Sequence, residues 1–218
     1  MKTDTVIFDL DGTLIDTLDD LKNAVNHALE TRSMPPRTRK EVCAFVGNGM
    51  GLLVRRAAGE DVDEPTYNDL FSAFTAYYNA HYADCTLPYP GIRELLTALK
   101  ARGLRTAVLT NKRAPAAQAL CDRFFPGLLD AVAGEIAGVP RKPDRAAADR
   151  LLRLLGADPA RTLYVGDSQV DVDTARNAGL GMVAVTWGFR SRKTLEEYGA
   201  SRLIDRPAEL LDYLEAET

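Results

Sequence analysis

Cysteine is scarce in this chain, and the three that occur, Cys43, Cys85 and Cys121, lie far apart in the sequence. There is no Cys-x-x-Cys pair, which argues against a zinc site built on thiolates and against a redox pair. A sparse and odd set of cysteines is typical of reduced thiols that pack as small apolar groups in a cytoplasmic protein. We therefore expect a cytoplasmic location.

Long apolar runs and long basic runs are missing as well. Acidic residues interrupt the apolar stretch at the N-terminus, so we expect neither a signal peptide nor a membrane span. The net charge is −4 and the sequence pI is about 5.3, which leaves no electrostatic footprint for nucleic acid. The sequence thus predicts no nucleic-acid partner and no membrane partner, and we expect a monomer or a homodimer.

Short apolar runs alternate with helical patterns along much of the chain. Five runs have the length and composition of buried strands: residues 5–10, 105–110, 129–133, 162–166 and 182–186. Helical spacing of apolar residues marks four segments: 92–101, 114–124, 144–155 and 174–178. This alternation predicts an α/β fold whose core is a Rossmann-like, doubly wound parallel sheet.

About ninety residues separate the first two strand runs, far more than a connection between a strand and a helix needs. Four helical patterns fill this stretch, at residues 17–31, 39–45, 50–58 and 65–83, and it holds no clear strand. Proline and glycine at residues 88–91 indicate the return to the sheet. We interpret residues 15–87 as an inserted α-helical cap domain, and residues 1–14 with 88–218 as the α/β core.

Polar clusters follow four of the predicted strands, at residues 9–13, 110–112, 141–143 and 166–171. Ligands of open parallel sheets bind beyond the carboxyl ends of the strands, so we expect the four clusters to meet at one edge. The acids there are Asp9, Asp11, Asp167 and Asp171, with Lys142 as the nearby base and Thr110, Asn111 and Ser168 as neutral hydrogen-bonding groups. Because oxygen-only ligands suit a hard divalent ion, the pattern predicts Mg²⁺.

Each cluster has a plainer interpretation when it is considered alone. The Asp-x-Asp pair is typical of a turn, and Thr110-Asn111 is typical of a helix N-cap. Lys142-Pro143 fits a solvated helix start, and the segment 166–168 fits a tight turn with a cap. Four independent turns need not supply complementary chemistry in this order, so together the clusters favour a site.

The ordered motifs DLDGT, TN, KP and GDSQVD resemble those of the haloacid dehalogenase superfamily, over nearly the whole chain. The run VGNGMG at residues 46–51 is similar to that of its phosphoglycolate phosphatases. Asp11 separates the chain from ATPase relatives, which carry Thr there, and from dehalogenases, which lack an acid there. The resemblance implies a Mg²⁺-dependent phosphatase for a small phosphorylated metabolite. Phosphoglycolate is the first candidate, and pyrophosphate, nucleoside monophosphates and sugar phosphates stay open.

The resemblance also implies a role for each site residue. Asp9 would attack phosphorus and carry an aspartyl phosphate, while Asp11 would protonate the leaving oxygen and then activate water. Asp9, the backbone carbonyl of Asp11, and Asp167 would hold Mg²⁺. The phosphoryl oxygens would be held by Thr110, Asn111, Lys142 and the backbone N–H of Gly12, which is expected to be open to them. Asp171 would orient Lys142 or the waters of Mg²⁺, and Ser168 would likewise act without touching the substrate.

Two other functions remain as alternatives. A sugar phosphomutase of the same superfamily shares the nucleophile but must keep water from its phosphoenzyme. A phospho-accepting signalling switch also uses acids, a lysine and Mg²⁺ on a parallel sheet. Its acceptor aspartate lies in mid-chain and its lysine comes last, whereas here Asp9 is near the N-terminus and Lys142 precedes Asp167. That order argues against the switch.

In the predicted cap, the segment Gly47-Asn48-Gly49 is interpreted as a substrate loop, with a helix-entry turn as the alternative. For Arg55 and Arg56, a solvated helix face is favoured over contact with a substrate carboxylate. Packing or plain exposure is also favoured for the remaining candidates, which are Asn23, Tyr77, Tyr78, His81 and the Trp187-Gly188 pair after the fifth strand.

Overall fold

The computed structural model describes residues 2–47, 49–59 and 61–216. The chain divides into two compact units, Met1–Ile15 with Pro88–Thr218, and Asp16–Leu87. The first unit contains a parallel sheet with helices, and the second is helical. Their assignment as a hydrolase core and a cap stays a prediction.

A six-stranded parallel sheet with the order β5-β4-β1-β6-β7-β8 is the centre of the first unit. The strands of the chain are β1 (Thr5–Phe8), β2 (Ile15–Asp16), β3 (Leu87–Pro88), β4 (Arg105–Arg113), β5 (Ala131–Glu135), β6 (Thr162–Gly166), β7 (Gly181–Val185) and β8 (Leu203–Ile204). Val6, Ile7 and Phe8 of the central strand are fully buried, as expected for a parallel strand covered on both faces. The predicted fold class is confirmed.

Ten α-helices are seen among the described residues. They are α1 (Leu18–Glu30), α2 (Arg39–Phe45), α3 (Met50–Ala58), α4 (Glu64–His81), α5 (Ile92–Ala101), α6 (Ala114–Phe124), α7 (Arg145–Leu155), α8 (Gln169–Ala178), α9 (Arg192–Glu197) and α10 (Glu209–Ala216). None of them combines the length and the apolar character that crossing a membrane requires.

The helical unit is held by apolar faces and by one buried acid. Leu21, Ala24 and Ala28 of α1 are buried at helical spacing, and α1 packs on α4. Asp20, also buried, accepts hydrogen bonds from the backbone N–H groups of Cys85 and Thr86, each at 2.9 Å. This carboxylate therefore ties the end of the helical segment to its first helix.

Several elements differ from the sequence expectations. Helix α8 begins at Gln169, well before the predicted start at residue 174, because a polar capping box rather than an apolar repeat fixes its first turn. The stretch predicted to lack strands contains part of a two-stranded sheet, formed by β2 and β3, and the short β8 was missed. These strands have two residues each, too few to show an alternating pattern.

The register of the sheet brings the ends of β1, β4 and β6 together. Phe8 lies opposite Val108 on one side and opposite Val165 on the other. The residues that follow these positions therefore share one edge of the sheet. On β4 the pairing with β5 is irregular between Leu109 and Arg113, and such a bulge redirects side chains next to a site.

Candidate active site

Three carboxylates meet at this edge of the sheet. Oxygens of Asp9, Asp167 and Asp171 all lie within 4.8 Å of one another. Asp9 directly follows β1, and its Oδ1 accepts hydrogen bonds from the Leu10 N–H at 2.7 Å and from Lys142 Nζ at 2.9 Å. The candidate nucleophile is thus fixed through one of its two oxygens.

Lys142 is the buried cation of the site, with a side chain only 2% exposed. Its Nζ lies 2.9 Å from Asp9 Oδ1, 2.8 Å from Asp171 Oδ1 and 2.9 Å from the Tyr164 hydroxyl. An ammonium has three N–H donors, so these three oxygens engage all of them. The Tyr164 hydroxyl also lies 3.0 Å from the Leu109 carbonyl oxygen, to which it donates.

Tyr164 was not among the residues that the sequence predicted for the site. It is fully buried in β6, which lies between β1 and β7 in the sheet. The available signal was its residue type, because a tyrosine buried in a central strand needs a partner for its hydroxyl. That partner is the lysine that also holds Asp9.

Asp171 anchors Lys142 and the start of α8 at the same time. Its Oδ2 accepts hydrogen bonds from Ser168 Oγ at 2.6 Å, the Ser168 N–H at 3.0 Å and the Asp167 N–H at 3.2 Å. Ser168 is the N-cap of α8. The cap that sequence offered as a plainer interpretation is therefore present, and it positions the lysine as well.

Asp167 follows β6 and is held by two other segments. Thr13 Oγ1 donates to its Oδ1 at 3.2 Å, and the Phe189 N–H donates to its Oδ2 at 2.7 Å. The Trp187 indole N–H donates to the Thr13 carbonyl oxygen at 3.0 Å. Trp187, for which packing was favoured, thus lies beside a candidate metal ligand.

Two glycines permit this close approach. A Cβ at Gly12, whose φ is +87°, would lie 2.4 Å from Asp167 Oδ2, and a Cβ at Gly188 would lie 2.3 Å from the Gly12 carbonyl oxygen. The expectation that the Gly12 N–H is open to a phosphate oxygen is wrong, because it donates to the Ile15 carbonyl oxygen at 2.9 Å. The tight turn that follows β1 uses this donor to close on itself.

The remaining predicted residues come from β4. Asn111 exchanges two hydrogen bonds with the backbone of Lys142, one from its Nδ2 at 3.1 Å and one to its Oδ1 at 2.9 Å. Thr110 Oγ1 accepts the Lys112 N–H at 3.2 Å. The N-cap interpretation of Thr110-Asn111 is wrong, because both residues lie within β4 and the N-cap of α6 is Arg113.

Asp11 has a partner that the sequence did not assign to it. Lys112 Nζ lies 2.9 Å from Asp11 Oδ1, and the lysine side chain is 6% exposed against 19% for the aspartate. The motif supplied Lys112 only as the neighbour of Thr110 and Asn111.

The buried part of the site has more negative than positive charge. Burial and the neighbouring charge of Asp171 raise the pKa of Asp167 to about 7. The same two causes, in the same order, raise the pKa of Asp9 well above its usual range. Burial lowers the pKa of Lys142, but Asp171 and Asp9 more than offset this and raise it above the ordinary value. A divalent cation would relieve the excess of negative charge.

The donor set fits a hard divalent ion. Asp9, Asp167 and Asp171 offer only oxygen, which suits Mg²⁺. Asp171 Oδ1 lies 2.8 Å from Lys142 Nζ and its Oδ2 accepts three hydrogen bonds, whereas the hydrogen bonds described for Asp167 are one to each oxygen. Asp9 and Asp167 are therefore the better ligands of the three.

Arg55 and Arg56 of the helical unit have partners within that unit. Arg55 pairs with Glu64 at 2.6 Å and stacks on the ring of Tyr67, while Arg56 donates to the Phe45 carbonyl oxygen at 2.8 Å. These contacts support a local packing role over contact with a substrate.

The described residues include part of the predicted substrate loop. Gly49, with a φ of +87°, is the N-cap of α3, as a helix-entry turn requires, and Gly47 also has a positive φ. Asn48 lies outside the described residues. A role in substrate binding stays a prediction.

The other candidates of the helical unit lie on α1 and α4. Tyr78 is buried and stacks on Phe74. Tyr77 stacks on His81, whose Nδ1 lies 2.8 Å from Asp84. Asn23 is half-buried on α1.

Comparison with known proteins gives relatives that match over most of their length. The chain is 38% identical over 219 residues to the phosphoglycolate phosphatase of Rhodospirillum rubrum, covering 96% of this chain and 90% of the relative. It is 39% identical over 189 residues to the phosphoglycolate phosphatase of Cereibacter sphaeroides, covering 85% and 86%.

Solved structures of similar proteins superpose over nearly the whole chain. A crystal structure from Lactobacillus delbrueckii subsp. bulgaricus superposes with a TM-score of 0.95 at 33% identity, covering 98% of this chain and 99% of that one. A predicted phosphoglycolate phosphatase from Haemophilus somnus gives a TM-score of 0.89 at 30% identity, covering 98% of each chain.

The family model for haloacid dehalogenase-like hydrolases matches residues 6–185. This range contains every acid and both lysines of the site described above. The resemblance inferred from the motifs is thereby confirmed, and the chain belongs to the haloacid dehalogenase-like hydrolase family.

Proposed function

We propose that this hydrolase is a phosphatase that cleaves small phosphate monoesters through an aspartyl phosphate on Asp9. The observation that carries the proposal is the setting of Asp9, which the Leu10 N–H and the buried Lys142 hold through Oδ1 next to Asp167. A carboxylate fixed in this way is a nucleophile in a defined orientation. The relatives named above are phosphatases, which supports the same activity.

The chain's own residues supply two proton transfers in this scheme. In the first step Asp9 forms a bond to phosphorus, the bond from phosphorus to the ester oxygen breaks, and Asp11 gives its proton to that oxygen. In the second step water attacks the phosphoryl group, its proton passes to Asp11, and the carboxylate of Asp9 is released. Lys142 stabilises the negative charge of the transferred group.

Asp9, the Asp11 carbonyl oxygen and Asp167 are the proposed Mg²⁺ ligands. The bound ion would supply positive charge against the phosphoryl oxygens. Because the pKa values of Asp9 and Asp167 are raised by burial and by Asp171, both carboxylates gain from a cation.

Phosphoglycolate is the first candidate substrate, because the relatives named above are phosphoglycolate phosphatases. We propose that the helical unit Asp16–Leu87 acts as a cap that selects the substrate. The groups gathered at the sheet edge would bind a phosphoryl group and a metal. All phosphate esters contain a phosphoryl group, so these groups do not select among them.

The test is a panel of phosphate esters, assayed with Mg²⁺ and with chelator. Phosphoglycolate, sugar phosphates, nucleoside monophosphates, pyrophosphate and an aryl phosphate separate the substrate classes. Asp9→Asn should lower turnover about 10³-fold or more. The control Asp149→Asn removes a carboxylate that pairs with exposed Arg145 on α7, and it should leave turnover unchanged.

Other outcomes would contradict parts of the proposal. Full activity in excess chelator would exclude the metal. A phosphate adduct on Asp11 instead of Asp9, seen by mass spectrometry, would reverse their roles. A bisphosphate intermediate would favour the phosphomutase, and a long-lived phosphoenzyme would favour the signalling switch.

A further inference from the structure

Lys112 is a buried lysine that the scheme above leaves without a task. Its side chain is 6% exposed, and its Nζ lies 2.9 Å from Oδ1 of Asp11. Burying the side chain of a lysine has a cost in solvation, which an opposite charge at this distance offsets. The partner is the one acid assigned to proton transfer.

The fold fixes the backbone of Lys112 from two directions. On one side, its N–H donates to Thr110 Oγ1 at 3.2 Å, inside the irregular part of β4. On the other side, β5 approaches through Gly134, where a Cβ would lie 2.7 Å from the Lys112 carbonyl oxygen and 2.5 Å from the Ala114 Cα. A side chain at Gly134 would push this strand end away, so the close approach depends on glycine.

We propose that Lys112 is a positioning residue that holds the Asp11 carboxylate where it exchanges protons with the leaving oxygen and with water. This inference rests on the proposed function. The ion pair engages Oδ1 of Asp11, which leaves Oδ2 to exchange the proton. A group that transfers protons must lie within hydrogen-bond reach of its target, and a displacement of about 1 Å costs up to about 100-fold in rate.

The proposal predicts a dependence on the leaving group. When the ester bond breaks, its electron pair goes to the leaving oxygen. An alkyl oxygen then needs the proton of Asp11, whereas an aryl oxygen leaves with little protonation. Removing the Lys112 side chain should therefore slow the hydrolysis of alkyl esters far more than that of aryl esters. The decrease should be in kcat.

The experiment compares Lys112→Met, Lys112→Arg and the control Arg113→Met, each in the full chain with Mg²⁺. Arg113 is the next residue of β4 and is exposed, so its variant removes the same charge at a distance of one residue. The substrates are p-nitrophenyl phosphate, ethyl phosphate and phosphoglycolate. For Lys112→Met we expect kcat to fall about 10- to 100-fold on ethyl phosphate and less than about 3-fold on the aryl ester.

We also expect Lys112→Arg to recover part of the lost kcat on ethyl phosphate, and Arg113→Met to leave the rates on all three esters unchanged. Equal losses on the aryl and the ethyl ester would overturn the proposal in favour of a general structural role. A rise in KM confined to phosphoglycolate would overturn it in favour of binding the substrate carboxylate.

Failure of the proposed function has a different signature, because the unaltered chain would then hydrolyse none of the three esters. If Lys112→Met does not fold, as judged by circular dichroism, Lys112→Gln keeps a polar end at the same place. The loss of kcat on ethyl phosphate relative to that on p-nitrophenyl phosphate, measured for Lys112→Gln or Lys112→Arg, then separates a positioning role from a general structural role.

Discussion

Replacing Asp171 by asparagine tests the idea that one buried carboxylate organises the site. The side chain is fully buried, with Lys142 on one oxygen, and Ser168 together with the backbone of Asp167 on the other. Asparagine has nearly the same shape but only one acceptor oxygen. Its amide group must therefore point at donors on one of the two sides.

The structure sets the size of the effect. If the oxygen of the new side chain keeps the three donors at Oδ2, its NH₂ faces the ammonium of Lys142, and the buried ion pair is lost. Breaking a buried pair by removing one partner costs about 3–5 kcal/mol in the free energy of unfolding. Asp9 would then be the one acid still paired with Lys142 among the described residues.

The assay is urea unfolding in chelator, with Asp173→Asn as the matched control on the same helix. Asp173 pairs with Arg176, whose side chain is 60% exposed, so its loss should cost less than about 1 kcal/mol. Equal m-values for the two variants would show that the same surface unfolds in both. A loss of unfolding free energy in Asp171→Asn no larger than that in Asp173→Asn, at equal m-values, would refute this role of Asp171.

Three further outcomes follow from the geometry. Gly188→Ala should weaken Mg²⁺ binding about 10-fold or more in a metal titration, because its Cβ would lie 2.3 Å from a backbone oxygen. The control Gly181→Ala, whose Cβ would lie 3.1 Å from the flexible end of a leucine, should bind Mg²⁺ normally. Equal Mg²⁺ affinities of the two variants would contradict this. The pKa of Asp167, about 7, is raised above its ordinary value, so in chelator its contribution to stability is lost as pH rises towards 7. The rise in Tm on adding Mg²⁺ should accordingly be larger near pH 8 than near about pH 5.5, and a rise independent of pH in thermal scans would be evidence against it. Tyr164→Phe removes one acceptor from a buried ammonium and should lower the unfolding free energy by about 1.5–3 kcal/mol, whereas an unchanged urea midpoint would rule that out.

The sheet and its acids were predictable because the signals are local. A short apolar run predicts a buried strand by itself, and the rule that parallel strands place ligands at their carboxyl ends does not depend on register. Asp9 stands near the end of the run 5–10 and Asp167 directly after the run 162–166, so their meeting at one edge follows from the fold class alone.

The partners of these acids were not predictable in the same way. Tyr164 reaches Lys142, and Phe189 reaches Asp167, only because of the register of β6 and the path of the chain after β7. The turn that contains Gly12 is closed by several backbone hydrogen bonds, and the one to Ile15 occupies the Gly12 N–H. Residue type suggests that a buried tyrosine or lysine has a partner, but the three-dimensional path decides which one.

The central position of β1 has a consequence for the order of folding. The hydrogen bond from Thr13 to Asp167 joins residues 154 positions apart, and the pair of Lys112 with Asp11 spans 101 positions. Closing such long loops is slow, because their entropy is lost before the contacts form. The first residues of the chain must wait for strands that come much later, so no fragment that ends before β6 contains both Asp9 and Asp167, the proposed metal ligands. Regain of activity during refolding should therefore coincide with completion of the central strands, even if helices form much earlier.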